Sequence, residues 1–237
     1  MEFDVTRSCV LLGGSLMLLM WVGPVGCGDD GSGGGPVASS CEVGGTVLSS
    51  HHQVNGGVEL DGCYQVRSSL KVSEGVLVLE PGTRLIFEEG TMLRIQNYEE
   101  DESGELDARG TEDEPVRLEG AGGEPGYWYG LMYYLGDKNQ ELRHVEIHHA
   151  GAGDFGPVDG DGTYGSTAAA LLLMEGPSEL HLQDVGIFDS ATHGVNTRRG
   201  FGMPEITGCE GLEFDNIAGE DLNIRWGHGT ICGQPED

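Results

Sequence analysis

Three segments of this chain end alike, and their spacing limits the folds open to it. His144-Val145-Glu146-Ile147-His148-His149-Ala150, Asp184-Val185-Gly186-Ile187-Phe188-Asp189-Ser190-Ala191 and Gly211-Leu212-Glu213-Phe214-Asp215-Asn216-Ile217-Ala218 register on Ile147, Ile187 and Phe214. A second set, Leu171, Val195 and Ile224, interleaves with the first. With the Gly/Asp-rich stretch 151–167 set aside, both sets advance by roughly two dozen residues, the length of one unit in a repeat architecture. Two strand families advancing together describe successive coils of a wound sheet. One coil cannot bury its inward face alone; stacking at about 4.8 Å per layer buries the Val, Leu and Ile of each coil on those of the next. The open ends then need caps, because an uncovered terminal coil offers unpaired backbone to other chains.

The rest of the chain is written in the same idiom. Val76-Leu77-Val78-Leu79, Arg84-Leu85-Ile86-Phe87, Met92-Leu93-Arg94-Ile95, Pro115-Val116-Arg117-Leu118, Leu131-Met132-Tyr133-Tyr134 and Val145-Glu146-Ile147 are short β-prone bursts bounded by glycine. Strands of that length and frequency predict an all-β protein. The 42 glycines and 9 prolines among 237 residues fall short of the combined share of about 25–30% that marks low-complexity chains. They punctuate strands rather than replace them.

The run LVLEPGTRLIFEEGTMLRI, then GELDARGTEDEPVRLEG, PGYWYGLMYY and ELRHVEIHHAG, resembles the right-handed parallel β-helix repeat proteins of the pectin-lyase-like superfamily. It is similar in particular to lipoprotein members that follow an acidic or Gly-rich tether. The resemblance spans residues 64 to 218 and rests on the order of the phrases. It implies a single-domain, all-β right-handed parallel β-helix, a solenoid, over residues 41–237. About activity it implies little, since the superfamily holds polysaccharide lyases, hydrolases and members without assigned chemistry.

The N-terminus reads as an export signal over residues 1–26: Arg7, an apolar run from Val10 to Val22 interrupted by Gly13-Gly14, and the small-residue exit Pro24-Val25-Gly26. The run is short of the ~20 predominantly apolar residues of a membrane span. The segment resembles a bacterial lipoprotein signal, although Pro24 stands where Leu is usual, and that resemblance makes Cys27 the lipid attachment point. Residues 27–40 follow as a flexible Gly/Ser/Asp tether. The implied location is the bacterial cell envelope, at the outer membrane or cell surface, with the membrane reached through the lipid.

Of the six cysteines, Cys9 leaves with the signal and Cys27 takes lipid. Cys41, Cys63, Cys209 and Cys232 remain, and an even set in an exported chain implies disulfides. Three connectivities are open; pairing Cys41 with Cys63 and Cys209 with Cys232 is the economical one, stapling each end of the domain. A zinc site would need CxxC or paired-histidine spacing, which is missing.

Forty acidic against twelve basic residues give a net charge of −28. Phosphate binding needs a basic footprint, so nucleic acid is excluded as a partner. An anionic membrane surface repels such a domain, which leaves the lipid to hold it there. A surface kept soluble by repulsion explains the acidity, with divalent cations as a second use of it.

Four groups of side chains are candidates for chemistry. Lyases of the resembled superfamily pair calcium-binding carboxylates with an Arg or Lys base, and Arg198 and Arg199 beside Asp184 and Asp189 are where such a set would be built. Asp154, Asp159 and Asp161, on glycine-permitted turns, offer hard oxygen ligands for calcium, against the plainer reading of an excursion loop. In an extended strand His144 and His148 share a face, with His149 next in line, a spacing compatible with a metal or with surface histidines. Tyr127, Trp128 and Tyr129, with Tyr133 and Tyr134, offer stacking surface for sugar rings or core packing. The expectation is an envelope-anchored, non-catalytic binding or display module for carbohydrate or an envelope component. A polysaccharide-active enzyme, a calcium-dependent lyase or glycoside hydrolase, is the alternative, and a structural spacer the third reading.

Overall fold

The computed structural model describes residues 41, 46–48, 52–54, 56–96, 104–134, 140–153, 168–174, 179–198, 205–224, 230–232 and 234–235. Among these residues every regular element is a β-strand, and no helix is long and apolar enough to cross a membrane. Residues 1–40, which hold the expected signal, Cys27 and the tether, lie outside the described residues, as do Asp154, Asp159, Asp161 and Arg199.

The strands form a 13-stranded and a 7-stranded sheet, and their pairing resolves into three parallel ladders. The first joins Thr46–Leu48, Cys63–Val66, Arg84–Phe87, Val116–Gly120, the later halves of Gln140–His148 and Glu179–Ser190, and Glu213–Ile217. The second is the 7-stranded sheet: His52–Val54, Leu70–Val72, Met92–Gln96, Gly130–Tyr134, Ala169–Met174, His193–Arg198 and Leu222–Ile224. The third joins Val58–Leu60, Val76–Leu79, Glu105–Arg109, the early halves of the two long strands, Glu205–Glu210 and Thr230–Ile231. The chain visits the ladders in that order and begins again. Among the described strands only Gln234–Pro235, which pairs with Thr230–Ile231, is antiparallel.

Register turns the apolar alternation of each strand into stacked columns. Leu85, Leu118, Ile147, Ile187 and Phe214 align in the first ladder, which is the register of the three similar segments. In the second ladder Leu171 opposes Val195 as expected, but Val195 opposes Leu222, and Ile224 meets Thr197 instead. The correction is a shift of two residues, which preserves the buried face because side chains alternate with period two. These columns fill one interior cluster with contributions from all three ladders. A second cluster, Met132, Tyr134, Leu172 and Met174 with Met92 and Tyr129, covers the opposite face of the 7-stranded sheet. On that face only the middle strands are apolar, since the column runs Lys71, Arg94, Met132, Leu172, Asn196, Asn223.

Both disulfides follow the economical pairing: Cys41–Cys63 with Cα atoms 5.6 Å apart, and Cys209–Cys232 at 5.5 Å. Cys63 opens an early strand of the first ladder. Cys209 occupies the register shift where Gly208 opposes Leu182 and Glu210 opposes Gln183, and Cys232 directly follows Thr230–Ile231, the next strand over.

Candidate functional site

The first ladder carries its polar groups between two corners built from left-handed backbone. Where the two long strands cross from the third ladder to the first, His144 and Asp184 have φ of 48° and 53°; at the far end His149, Asp189 and Asn216 have 61°, 55° and 54°. Few side chains accept that region, and Asn, Asp and His are enriched among those that do. Successive layers therefore stack polar side chains at both corners. His144 Nε2 lies 3.7 Å from Asp184 Oδ2, and His149 Nε2 lies 3.8 Å from Asp189 Oδ2. Asn216 Nδ2 donates to Asp189 Oδ1 at 2.5 Å.

Between the corners, outward side chains form an interlocked strip. Arg84 Nε donates to Glu119 Oε1 at 2.8 Å, and Arg117 Nε approaches Glu146 Oε2 at 2.8 Å. His148 Nε2 lies 3.1 Å from the same Glu146 oxygen, while its ring stacks on Phe188 with centroids 4.8 Å apart and planes at 23°. Gly186 is buried and makes room for the Phe188 ring, which a Cβ there would overlap. A cleft of about 450 Å³ opens here, lined by Glu112, His144, Glu146, Asp184 and Glu213 around Gly186 and Phe188. The half-buried His149 behind the strip has its pKa held below the usual imidazole range by burial and by His148, against the opposing pull of Asp189 and Glu119.

A second cleft, of about 520 Å³, lies along the third ladder and is lined by Val76, Glu105, Leu106, Asp107, Arg109, Gln140, Glu141, Glu179 and His181. Arg109 Nε sits 2.9 Å from Asp107 and 3.4 Å from Glu141. His181 Nδ1 lies 3.1 Å from Thr207 Oγ1, and that hydroxyl donates to Glu179. Gln140 is 5% exposed, with Oε1 accepting from Leu106 N–H at 3.0 Å and Nε2 without a partner among the described residues. A buried donor left unmet costs about 1–3 kcal/mol.

The aromatic candidates do not form a stacking surface. Trp128 is fully buried, stacked on Phe87 with centroids 4.0 Å apart and planes at 6°, and its Nε1 donates to the His148 carbonyl at 2.8 Å. It cannot stack a sugar. Tyr133 and Tyr134 are buried too, and Tyr129 packs on the outer apolar cluster; Tyr127 keeps a partly exposed ring close over Gly122. The inward turn at Trp128 dismantles the expected platform.

His144 and His148 do not converge on one another: each meets a different carboxylate, Asp184 for His144 and Glu146 for His148. Asp184 and Asp189 occupy opposite corners of the first ladder, about 16 Å apart at the ~3.3 Å rise of a parallel strand, while Arg198 ends a strand of the other sheet. Among the described residues that lyase set is not assembled. Among the described residues no group of three or more His, Cys, Asp or Glu side chains is arranged to hold a metal ion. Sequence reasoning missed the carboxylate partners of the three histidines, Phe188 as an open ring and Gln140 as a buried amide. The signal for the first was present, because aligning the segments on Ile147 and Ile187 sets His144 opposite Asp184 and His149 opposite Asp189.

Fold and clefts define an all-β protein of parallel strands in curled sheets, with disulfides near both ends and acidic clefts on its outer faces. No protein-family model, no curated protein and no solved structure matches the chain.

Proposed function

We propose that this protein is an envelope-anchored binding module: a lipoprotein tethered through Cys27, whose folded part is a right-handed parallel β-helix of pectin-lyase-like type and whose first ladder receives a saccharide. The observation that carries the reading is the Phe188 ring, lying over Gly186 beside the carboxylates of Glu146, Asp184 and Glu213. An aromatic face takes the C–H side of a sugar ring while carboxylates accept its hydroxyl protons. The three-ladder order and the stacked aliphatic columns support the β-helix reading, because a wound chain returns each ladder in parallel register.

Affinity electrophoresis in gels containing neutral and acidic polysaccharides tests the binding role. Retardation by at least one polysaccharide, lost in Phe188→Ala, is expected; unretarded wild type in every gel refutes it. Ultraviolet-absorbing unsaturated products from polygalacturonate or alginate with calcium would replace binding with lyase chemistry. Metabolic labelling with a fatty acid tests the anchor, with the label expected in wild type and absent in Cys27→Ala.

A further inference from the structure

Gln140 interrupts a column that is otherwise aliphatic. It opens the Gln140–His148 strand between Leu106, whose N–H it binds, and Leu180, with Leu77 and Ile206 beyond them. Leucine suits that position on every packing ground, so a buried amide with one unmet donor is a conflict between sequence and fold. Such conflicts concentrate where function has overridden stability.

The residue lines the 520 Å³ cleft of the third ladder, whose volume lies in the range of small-molecule sites, ~300–1,000 Å³. The carboxylates of Glu105, Asp107, Glu141 and Glu179 outnumber the cationic Arg109 there, and Arg109 is already engaged by Asp107 and Glu141. The field in the cleft is therefore negative and favours a positively charged guest. Gln140 Nε2 asks in addition for an oxygen acceptor, and Val76 and Leu106 offer aliphatic wall.

We infer that this cleft binds a protonated amino sugar, its ammonium beside Asp107 and Glu141 and a hydroxyl oxygen accepting from Gln140 Nε2. A bare polyamine would leave the amide unmet, and a neutral sugar would leave the charge unused. The site belongs to the third ladder and does not rest on the groove around Phe188.

Calorimetric titration of the purified protein with glucosamine, at a pH where the amine is charged, tests this against glucose and N-acetylglucosamine. Saturable binding of glucosamine is expected, with both neutral sugars at least tenfold weaker. Gln140→Leu and Glu141→Gln should each weaken glucosamine at least tenfold, and Phe188→Ala should leave it unchanged. Circular dichroism reports whether Gln140→Leu folds without its bond to Leu106; if it does not, the half-buried Glu141→Gln decides alone. The inference is overturned by absence of saturable glucosamine binding, by equal affinity for glucose, or by undiminished affinity in either folded variant.

Discussion

His149 and Asp189 occupy the same corner on successive layers, both in the left-handed region, with Nε2 and Oδ2 3.8 Å apart. Asn216 continues the column and donates to Asp189. The corner thus fixes backbone shape and polar partner at one position, and both can be probed by substitution.

The Asn216 side chain is exposed, so backbone strain dominates what a substitution does there. Asn216→Gly keeps the φ of 54° at no steric cost, whereas a β-branched residue must strain or abandon it. Asn216→Val is expected to destabilise by about 1–2 kcal/mol more than Asn216→Gly, read from urea unfolding midpoints at equal m values.

The depressed pKa of His149, set first by burial and then by His148, makes stability depend on pH with a definite sign. The unfolded chain takes up this proton near the ordinary histidine value of about 6.5, before the folded protein does. The contribution is therefore complete above that value and shrinks as pH falls below it toward the folded pKa. Urea midpoints should drop more between pH 7.5 and 5.5 in wild type than in His149→Asn, which keeps a residue tolerant of left-handed backbone.

Removing the Cys209–Cys232 link frees a loop whose ends are separated by 23 residues, for which chain entropy alone gives about 3 kcal/mol. The double Cys→Ser variant should lose about that much stability. Amide exchange should accelerate first in Glu205–Glu210, the strand carrying Cys209, and leave Arg84–Phe87 protected.

A methyl group at Gly186 would collide with the edge of the Phe188 ring at Cε2 and Cζ. Phe188 is only partly buried, so Gly186→Ala should displace its ring outward and fold with a melting temperature close to wild type. The His148 ring protons should lose their upfield ring-current shift, because the stacked pair at 4.8 Å is broken. Polysaccharide retardation should weaken with it.

By itself the sequence determined the all-β class and the register of Ile147, Ile187 and Phe214, and made the observed disulfide pairing the economical one of three. Each is a periodic or counting property: apolar alternation with period two, a recurring unit, an even set of cysteines split between two ends. Tertiary structure decided where those periods break. Stacking of the layers set Asp184 against His144 and left Glu146 to His148, giving each histidine its own carboxylate. Trp128 reads in the sequence as a neighbour of two open tyrosines, yet only the stacked Phe87 of another layer turns it inward. Phe188 lies over Gly186 because that position has no side chain, and Gln140 is buried because stacking sets it between Leu106 and Leu180. Such outcomes depend on contacts between residues tens of positions apart, and no local pattern carries that information until the layers are stacked.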